Sequence, residues 1–313
     1  MLKNQEPELG SWGRYVSEKV YESLRSLGHP DTLVKIQATP RVKTVESARG
    51  KLFRKNYSDP VRQMTDLVGV RFVVLLGSDI DTISEIIEST AEWIAIISRD
   101  FLEERSQNTN VFDYQSKHYE VRPNTELMQQ LGLEQPFCCE VQIRTLLQHA
   151  YAEMVHDNIY KPNGEVPALA KRHVARSMAL IETTDEIFIS TMKLLTQSNA
   201  PRDEFQAGLE STYKSFTQHD STNEFKTESA LLESFPELVT LDSIKDISEL
   251  LTRKPYIINK INKRRSQPLL FNNKIVLFVY LAVTKLPKEE IHARWPLPGD
   301  WRSLTLVEAD LNS

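Results

Sequence analysis

Apolar positions change their period several times along this chain, and each change marks an element. Trp12, Tyr15, Val16, Val20, Tyr21 and Leu24 recur at spacings of three to five, which predicts an amphipathic helix over 11–28 that ends at Gly28 and Pro30. Val42, Val45, Ala48 and Leu52 predict a second helix over 41–56 with a dense basic opposite face, closed by a turn at Ser58, Asp59 and Pro60. Residues 66–77 are then almost continuously apolar, as in a strand covered on both faces. A helix is expected at 78–92, a strand at 93–99, a polar loop over 100–110 and a strand at 117–122. Over 137–145 the pattern alternates strictly. There Cys139, Val141 and Ile143 point one way and Glu140, Gln142 and Arg144 the other. Helices over 145–161 and 168–196 follow.

Strands interleaved with helices up to about residue 165 predict an α/β unit closed by helices. Beyond 197–202 the pattern is helical only, with short turns at Pro236, Pro255, Pro268, Pro287, Pro296 and Pro298. A boundary is therefore placed near 200, giving a domain at 1–200 and a helical domain at 201–313. Within the second, 275–283 is an uninterrupted apolar run, and with Trp295 and Trp301 it predicts a buried core.

Composition adds exclusions. The 313 residues carry 40% hydrophobic and 26% charged side chains with only ten glycines, the profile of a globular, helix-rich protein. A net charge of −5 marks the whole chain as neither a nucleic-acid nor an anionic-membrane binder, so local basic patches must carry any such claim. The two cysteines, Cys138 and Cys139, are adjacent in a strand and offer neither a disulfide framework nor metal-ligand spacing. Residues 1–10 lack the apolar core of a signal peptide, and the run at 275–283 is too short to cross a bilayer. A soluble, cytoplasmic protein without a membrane partner is the expectation.

Candidate chemistry collects in four places. Ser47, Lys51, Arg54 and Lys55 fall on neighbouring positions of the basic helix, with Arg41 and Lys43 at its start. They can surround a polyphosphate or form a solvated basic face; both readings are open. Asp66 and Glu140 lie 74 residues apart, at or in strands of one sheet. Converging, two carboxylates suit Mg²⁺, which keeps waters and substrate phosphates in its shell; alone, Asp66 also reads as a turn residue. Tyr114 enters the strand whose next outward residues are His118, Glu120 and Arg122, and it either stacks on a base or anchors its loop. His149, Glu153 and His156 line one side of a helix, where a hydrogen-bonded face is preferred to a metal site.

Four stretches in order resemble the synthetase domain of the RelA/SpoT family: Arg-Val-Lys-x-x-x-Ser-x-x-x-Lys at 41–51, Asp-Leu-Val-Gly-Val-Arg at 66–71, Tyr-Gln-Ser-Lys-His at 114–118, and Glu-Val-Gln-Ile-Arg-Thr at 140–145 followed by His-Ala-Tyr-Ala-Glu and Tyr160-Lys161. The resemblance spans about 30–165. It implies a nucleotidyltransferase-like mixed β-sheet flanked by helices, and transfer of pyrophosphate from ATP to the 3′-hydroxyl of GDP or GTP. Carried over, Arg41, Lys43, Ser47, Lys51 and Lys55 grip the ATP phosphates with help from Arg71. Asp66 and Glu140 are the Mg²⁺ carboxylates, Glu140 also the base. Tyr114 stacks on the acceptor guanine, and His118, Gln142 and Arg144 wall the acceptor pocket.

This chain also departs from the family's pattern. Asp113 stands for the usual glycine before Tyr114 and Lys117 for a leucine, and the basic stretch expected before them is replaced by Glu103–Phe112, longer and less basic. A toxin-like enzyme modifying the tRNA 3′ end or adenine nucleotides, and a nucleotide-sensing module without turnover, stand as alternatives to the alarmone synthetase. No hydrolase domain fits before residue 30. Six cations and no acid occupy 251–265, which is a solvated face or, turned toward a site, a contact for RNA phosphates. A homo-oligomer is compatible with the sequence.

Overall fold

The computed structural model describes residues 2–55, 57–107, 116–156, 159, 165–266 and 270–312. The chain divides into two compact units, Met1–Met192 and Lys193–Ser313, and the division falls inside one long helix.

The first unit is a mixed sheet of six strands: β1 (Val34–Ile36), β2 (Arg41–Val42), β3 (Val68–Val74), β4 (Trp93–Arg99), β5 (Lys117–Pro123) and β6 (Cys139–Thr145). The order is β1-β3-β6-β5-β4, with β2 also paired to β3. The central pair β3–β6 is parallel and every other pairing is antiparallel. Around it lie α1 (Leu2–Ser26), α2 (Val45–Lys55), α3 (Pro60–Gln63), α4 (Gly77–Ser89), α5 (Phe101–Gln107), α6 (Thr125–Leu131), α7 (Leu146–Val155) and the first part of α8 (Ala168–Thr217).

One sheet face carries Val70, Phe72 and Val74 of β3, Cys139, Val141 and Ile143 of β6, and Tyr119 and Val121 of β5. All are buried in a core with Trp12, Val16, Val20, Ile83 and Ile87 from α1 and α4. The other face presents Gly69, Arg71 and Val73 opposite Glu140, Gln142 and Arg144. The alternation seen in the sequence thus separates core from chemistry. Gly13 matters for the position of β2: a Cβ there would lie 2.6 Å from Pro40 Cβ and 2.8 Å from Val68 Cγ2. Only a bare backbone lets α1 approach the segment that leads into Arg41.

Three expectations change. Residues 41–44 are outside the basic helix: Arg41 and Val42 pair with Gly69 and Val68, and Lys43 donates its N–H to the Leu67 carbonyl. Packing of Val42 against the sheet overrides the helical spacing. The polar loop at 100–110 begins instead as α5. Asp100 accepts from the Leu102 N–H at 2.9 Å and Phe101 is buried, so a cap and one apolar anchor suffice. The helix expected to stop at 196 runs through Pro201 to Thr217, because Phe205, Leu209 and Tyr213 bury themselves farther along it.

The second unit adds α9 (Phe225–Ser234), α10 (Leu241–Arg253), α11 (Tyr256–Arg264), α12 (Ile275–Lys285), α13 (Lys288–Arg294) and α14 (Trp301–Leu311). The apolar run is α12, buried on all sides and packed by α9, α10, α13 and α14. No helix among the described residues is long and apolar enough to cross a membrane. The basic run of 251–265 is largely spent within this unit. Lys254 donates to the Leu311 carbonyl, Arg265 to that of Asp220, and Arg264 and Lys260 face Asp310.

Candidate active site

A cavity of about 450 Å³ opens on the polar sheet face. Its wall includes Arg41, Lys43 and Ser47 from β2 and the start of α2, Asp66 and Arg71 at and in β3, and Glu140 and Gln142 from β6. Two regions distant in sequence therefore meet because the parallel pairing sets Gly69 beside Glu140, three residues after Asp66.

Asp66 is the electrostatic centre of one side. Its carboxylate receives Lys43 Nζ at 2.6 Å and lies 2.9 Å from Lys51 Nζ. Burial pushes its carboxyl up, but the hydrogen bonds and charges of the two lysines together outweigh burial and hold it below the ordinary value of 3.8. Glu140 shows the same contest. Burial raises it, while His118, whose Nδ1 is 3.7 Å away, and the Gln142 amide, donating at 2.8 Å, bring it below the ordinary value. The charge of Asp66 acts on Glu140 in the opposite sense, so each lies within the other's field. Both acids are ionised at neutral pH.

A second network continues from Gln142. Its carbonyl accepts from Arg71 Nε at 3.4 Å, and Arg71 reaches Glu153 of α7 at 3.0 Å. Glu153 also stands 3.9 Å from Arg144 and 3.6 Å from His149 Nδ1. Burial and the neighbouring Arg144 and Arg71 press the His149 pKa down, against the pull of Glu153, which keeps this ring neutral. The β6–α7 junction is fixed by Thr145, which caps α7 with Gln148 and donates to buried Asp185 of α8 at 2.8 Å.

The structure thus brings together Arg41, Lys43, Ser47, Asp66, Arg71, Glu140 and Gln142 around one cavity, with Lys51 on Asp66 and His118 on Glu140. Arg144 is only 1% exposed, under α7 rather than on the cavity wall. Lys55 is exposed on the last turn of α2 and does not line the cavity. Tyr114 lies outside the described residues, as do Tyr160 and Lys161. Cavity-lining Gln37, Thr39 and Thr44 escaped the sequence reading: Gln37 and Thr39 are short polar residues in a segment with no periodicity, and Thr44 carried no charge to single it out in the expected helix over 41–56. Cys138 and Cys139 are inert: burial pushes the Cys138 thiol up to about 12 and Cys139 well above its usual range.

Residues 40–165 match the model of the region found in RelA / SpoT proteins. This stretch is a RelA/SpoT region. Two curated relatives align with this chain: GTP pyrophosphokinase YjbM of Bacillus subtilis (strain 168), 28% identical over 149 residues, and GTP pyrophosphokinase YwaC of the same organism, 24% identical over 157 residues. The alignments cover 47% and 49% of this chain and 67% and 71% of the relatives. Among solved structures, a GTP pyrophosphokinase family protein from Streptococcus pneumoniae superposes with a TM-score of 0.52 at 21% identity, covering 63% of this chain and 95% of that one. That likeness establishes the fold: the mixed sheet flanked by helices is the one the sequence predicted, with a helical region after it.

The RelA/SpoT region also has the donors that a Mg²⁺ ion takes. Two ionised carboxylates, Asp66 and Glu140, open on the same cavity, and a hard cation of this kind needs one or two such ligands plus water and phosphate oxygens.

Proposed function

We propose that the RelA/SpoT region transfers a pyrophosphoryl group from ATP to the 3′-hydroxyl of GDP or GTP. The observation that carries this reading is Asp66 held between Lys43 and Lys51 in the cavity that Glu140 also lines. The curated relatives, both GTP pyrophosphokinases by name, agree with it.

Each residue has a task in that reaction. Arg41, Lys43, Ser47 and Lys51 form a cationic and hydroxyl-bearing wall for a triphosphate. Lys43 and Lys51 exchange the Asp66 carboxylate for phosphate oxygens when the donor arrives. Asp66 and Glu140 would hold Mg²⁺, which when bound would neutralise part of the phosphate charge. Glu140, oriented by His118 and Gln142, accepts the 3′-hydroxyl proton. The ribose oxygen then forms its bond to the β-phosphorus, the bond from that phosphorus to the α-bridging oxygen breaks, and AMP leaves. A loose phosphoryl-transfer transition state asks more of position and charge than of base strength, so a carboxylate below its ordinary pKa serves. Arg71 steadies Gln142 from behind, tied to α7 through Glu153.

The test is incubation of the full chain with Mg²⁺ and β,γ-labelled ATP, together with GDP, GTP, AMP or bulk tRNA in separate reactions. Label is expected in a guanosine 3′-pyrophosphate. Label appearing only on AMP or tRNA overturns the reading, as does nucleotide binding without any transfer.

A further inference from the structure

Glu120 is the one outward-facing acid of β5, and the register sets it directly opposite Glu140 on the same sheet face. Directly opposed side chains in an antiparallel pair have Cβ atoms about 4.5–5.5 Å apart, and like charges there destabilise the sheet. No cation among the described residues is paired with Glu120. Glu120 is half-buried and has no hydrogen-bond or ion-pair partner among the described residues. Its outer neighbour on β4 is Ile96, which is 58% exposed and offers no donor. Arg122, two positions along the same face, is committed to the carbonyls of Pro136 and Arg62, and His118 on the other side faces Glu140. A sequence that sets two carboxylates against each other without a cation breaks a local rule, and such breaks concentrate where function requires them.

Two carboxylates across one strand pair match a vicinal diol: each accepts from one hydroxyl, and the diol supplies the donors that Glu120 lacks. We infer that Glu120 binds the 2′-hydroxyl of the acceptor ribose while Glu140 takes the 3′-hydroxyl, so that Glu120 selects ribonucleotide over 2′-deoxyribonucleotide acceptors and fixes the 3′ position as the one that reacts. The inference deepens the reading given above and rests on it. It places the acceptor sugar over β5 and β6, on the side of Glu140 away from β3 and the lysines of the triphosphate wall. Hydrogen bonds to a charged acceptor are the stronger kind, and loss of one corresponds to about 10–100-fold in transition-state binding.

The experiment measures kcat/KM with GDP and with 2′-deoxy-GDP for the wild-type chain, Glu120→Ala and Glu120→Gln, and the melting temperature of each. Wild type is expected to prefer GDP by about tenfold or more, and Glu120→Ala to fall on GDP toward the value for 2′-deoxy-GDP, closing the gap. Both variants are expected to melt at the wild-type temperature or a few degrees above it, since the opposed charges are gone. A role in holding the sheet together instead lowers the melting temperature and reduces both acceptors equally. An unchanged ratio of the two acceptors in Glu120→Ala overturns the inference alone. Absence of transfer to either acceptor by wild type overturns the proposed reaction, and the inference with it.

Discussion

The RelA/SpoT region and the helical second unit draw on the same charged side chains and use them in opposite ways. In the second unit Asp310 is 2% exposed at its side chain, and it is closed in by Arg264, by Lys260 at 3.6 Å and by the Tyr280 hydroxyl at 2.6 Å. Lys274 is similarly enclosed by Glu210 at 2.9 Å and Glu228 at 3.6 Å. In the RelA/SpoT region Asp66 and Lys43 pair as closely on the wall of an open cavity, with Lys51 also on Asp66, and Glu120 has no hydrogen-bond or ion-pair partner among the described residues. The lesson is that pairing alone does not separate a structural charge from a working one. Access does, because a closed network has no room for a further ligand and an open one can exchange partners.

The largest effect that tests this contrast is on chemistry. Asp66→Asn and Glu140→Gln are each expected to lower turnover by about a thousandfold or more while the melting temperature moves by only a few degrees. Steady-state assays beside thermal melts check it, and undiminished turnover in either variant removes the site. Next comes Asp310→Ala, which leaves Arg264 and Lys260 without their buried acid. Loss of one partner of a buried pair costs about 3–5 kcal/mol. Denaturant unfolding should show this loss, with kcat unaltered wherever the protein is folded; a fall in kcat as large as that of Glu140→Gln would erase the distinction between the two regions.

The smallest effect concerns Asp185, a buried acid on α8 in the first unit that receives one hydrogen bond, from Thr145. Burial raises its pKa above the ordinary 3.8 by more than that bond lowers it. A raised carboxyl favours the folded state below the unfolded value, and this contribution is lost as pH rises through the folded value. Asp185→Asn keeps an acceptor for Thr145 and removes the buried charge. It is therefore expected to be more stable than wild type at neutral pH, by no more than about 1 kcal/mol. The advantage should disappear as pH falls below 3.8, and paired unfolding curves at pH 7 and pH 3 measure it. A larger gain at low pH contradicts the sign.

Much of this was legible beforehand because the sheet needs period two. The alternation at 139–144 separated Cys139, Val141 and Ile143 from Glu140 and Gln142 correctly, and the continuous apolar run announced a central strand, although only one face of it is covered: Gly69 and Arg71 on the other face line the cavity. Arg144 shows the limit of that reasoning: alternation assigns a face, but α7 covers part of the face and encloses the guanidinium. The short strand at Arg41–Val42 was hidden because two residues carry no period, and its existence depends on a partner 28 positions away, as Arg41 opposite Gly69 illustrates. The fate of the basic run at 251–265 was equally invisible. Its counterion, Asp310, sits three helices and more than forty residues later, and charge in a sequence gives no address for its partner.

The parallel junction of β3 with β6 has one more consequence, for the timing of synthesis. Its two strands are separated by everything from residue 75 to 138, so a ribosome must release the chain past residue 145 before the acid pair can exist. A truncated translation product that stops short of β6 retains the lysines and Asp66 but no Glu140. Messenger damage or stalled translation within that interval would therefore yield fragments that carry the lysines and Asp66 in sequence but lack the central strand that completes the cavity and its proposed base.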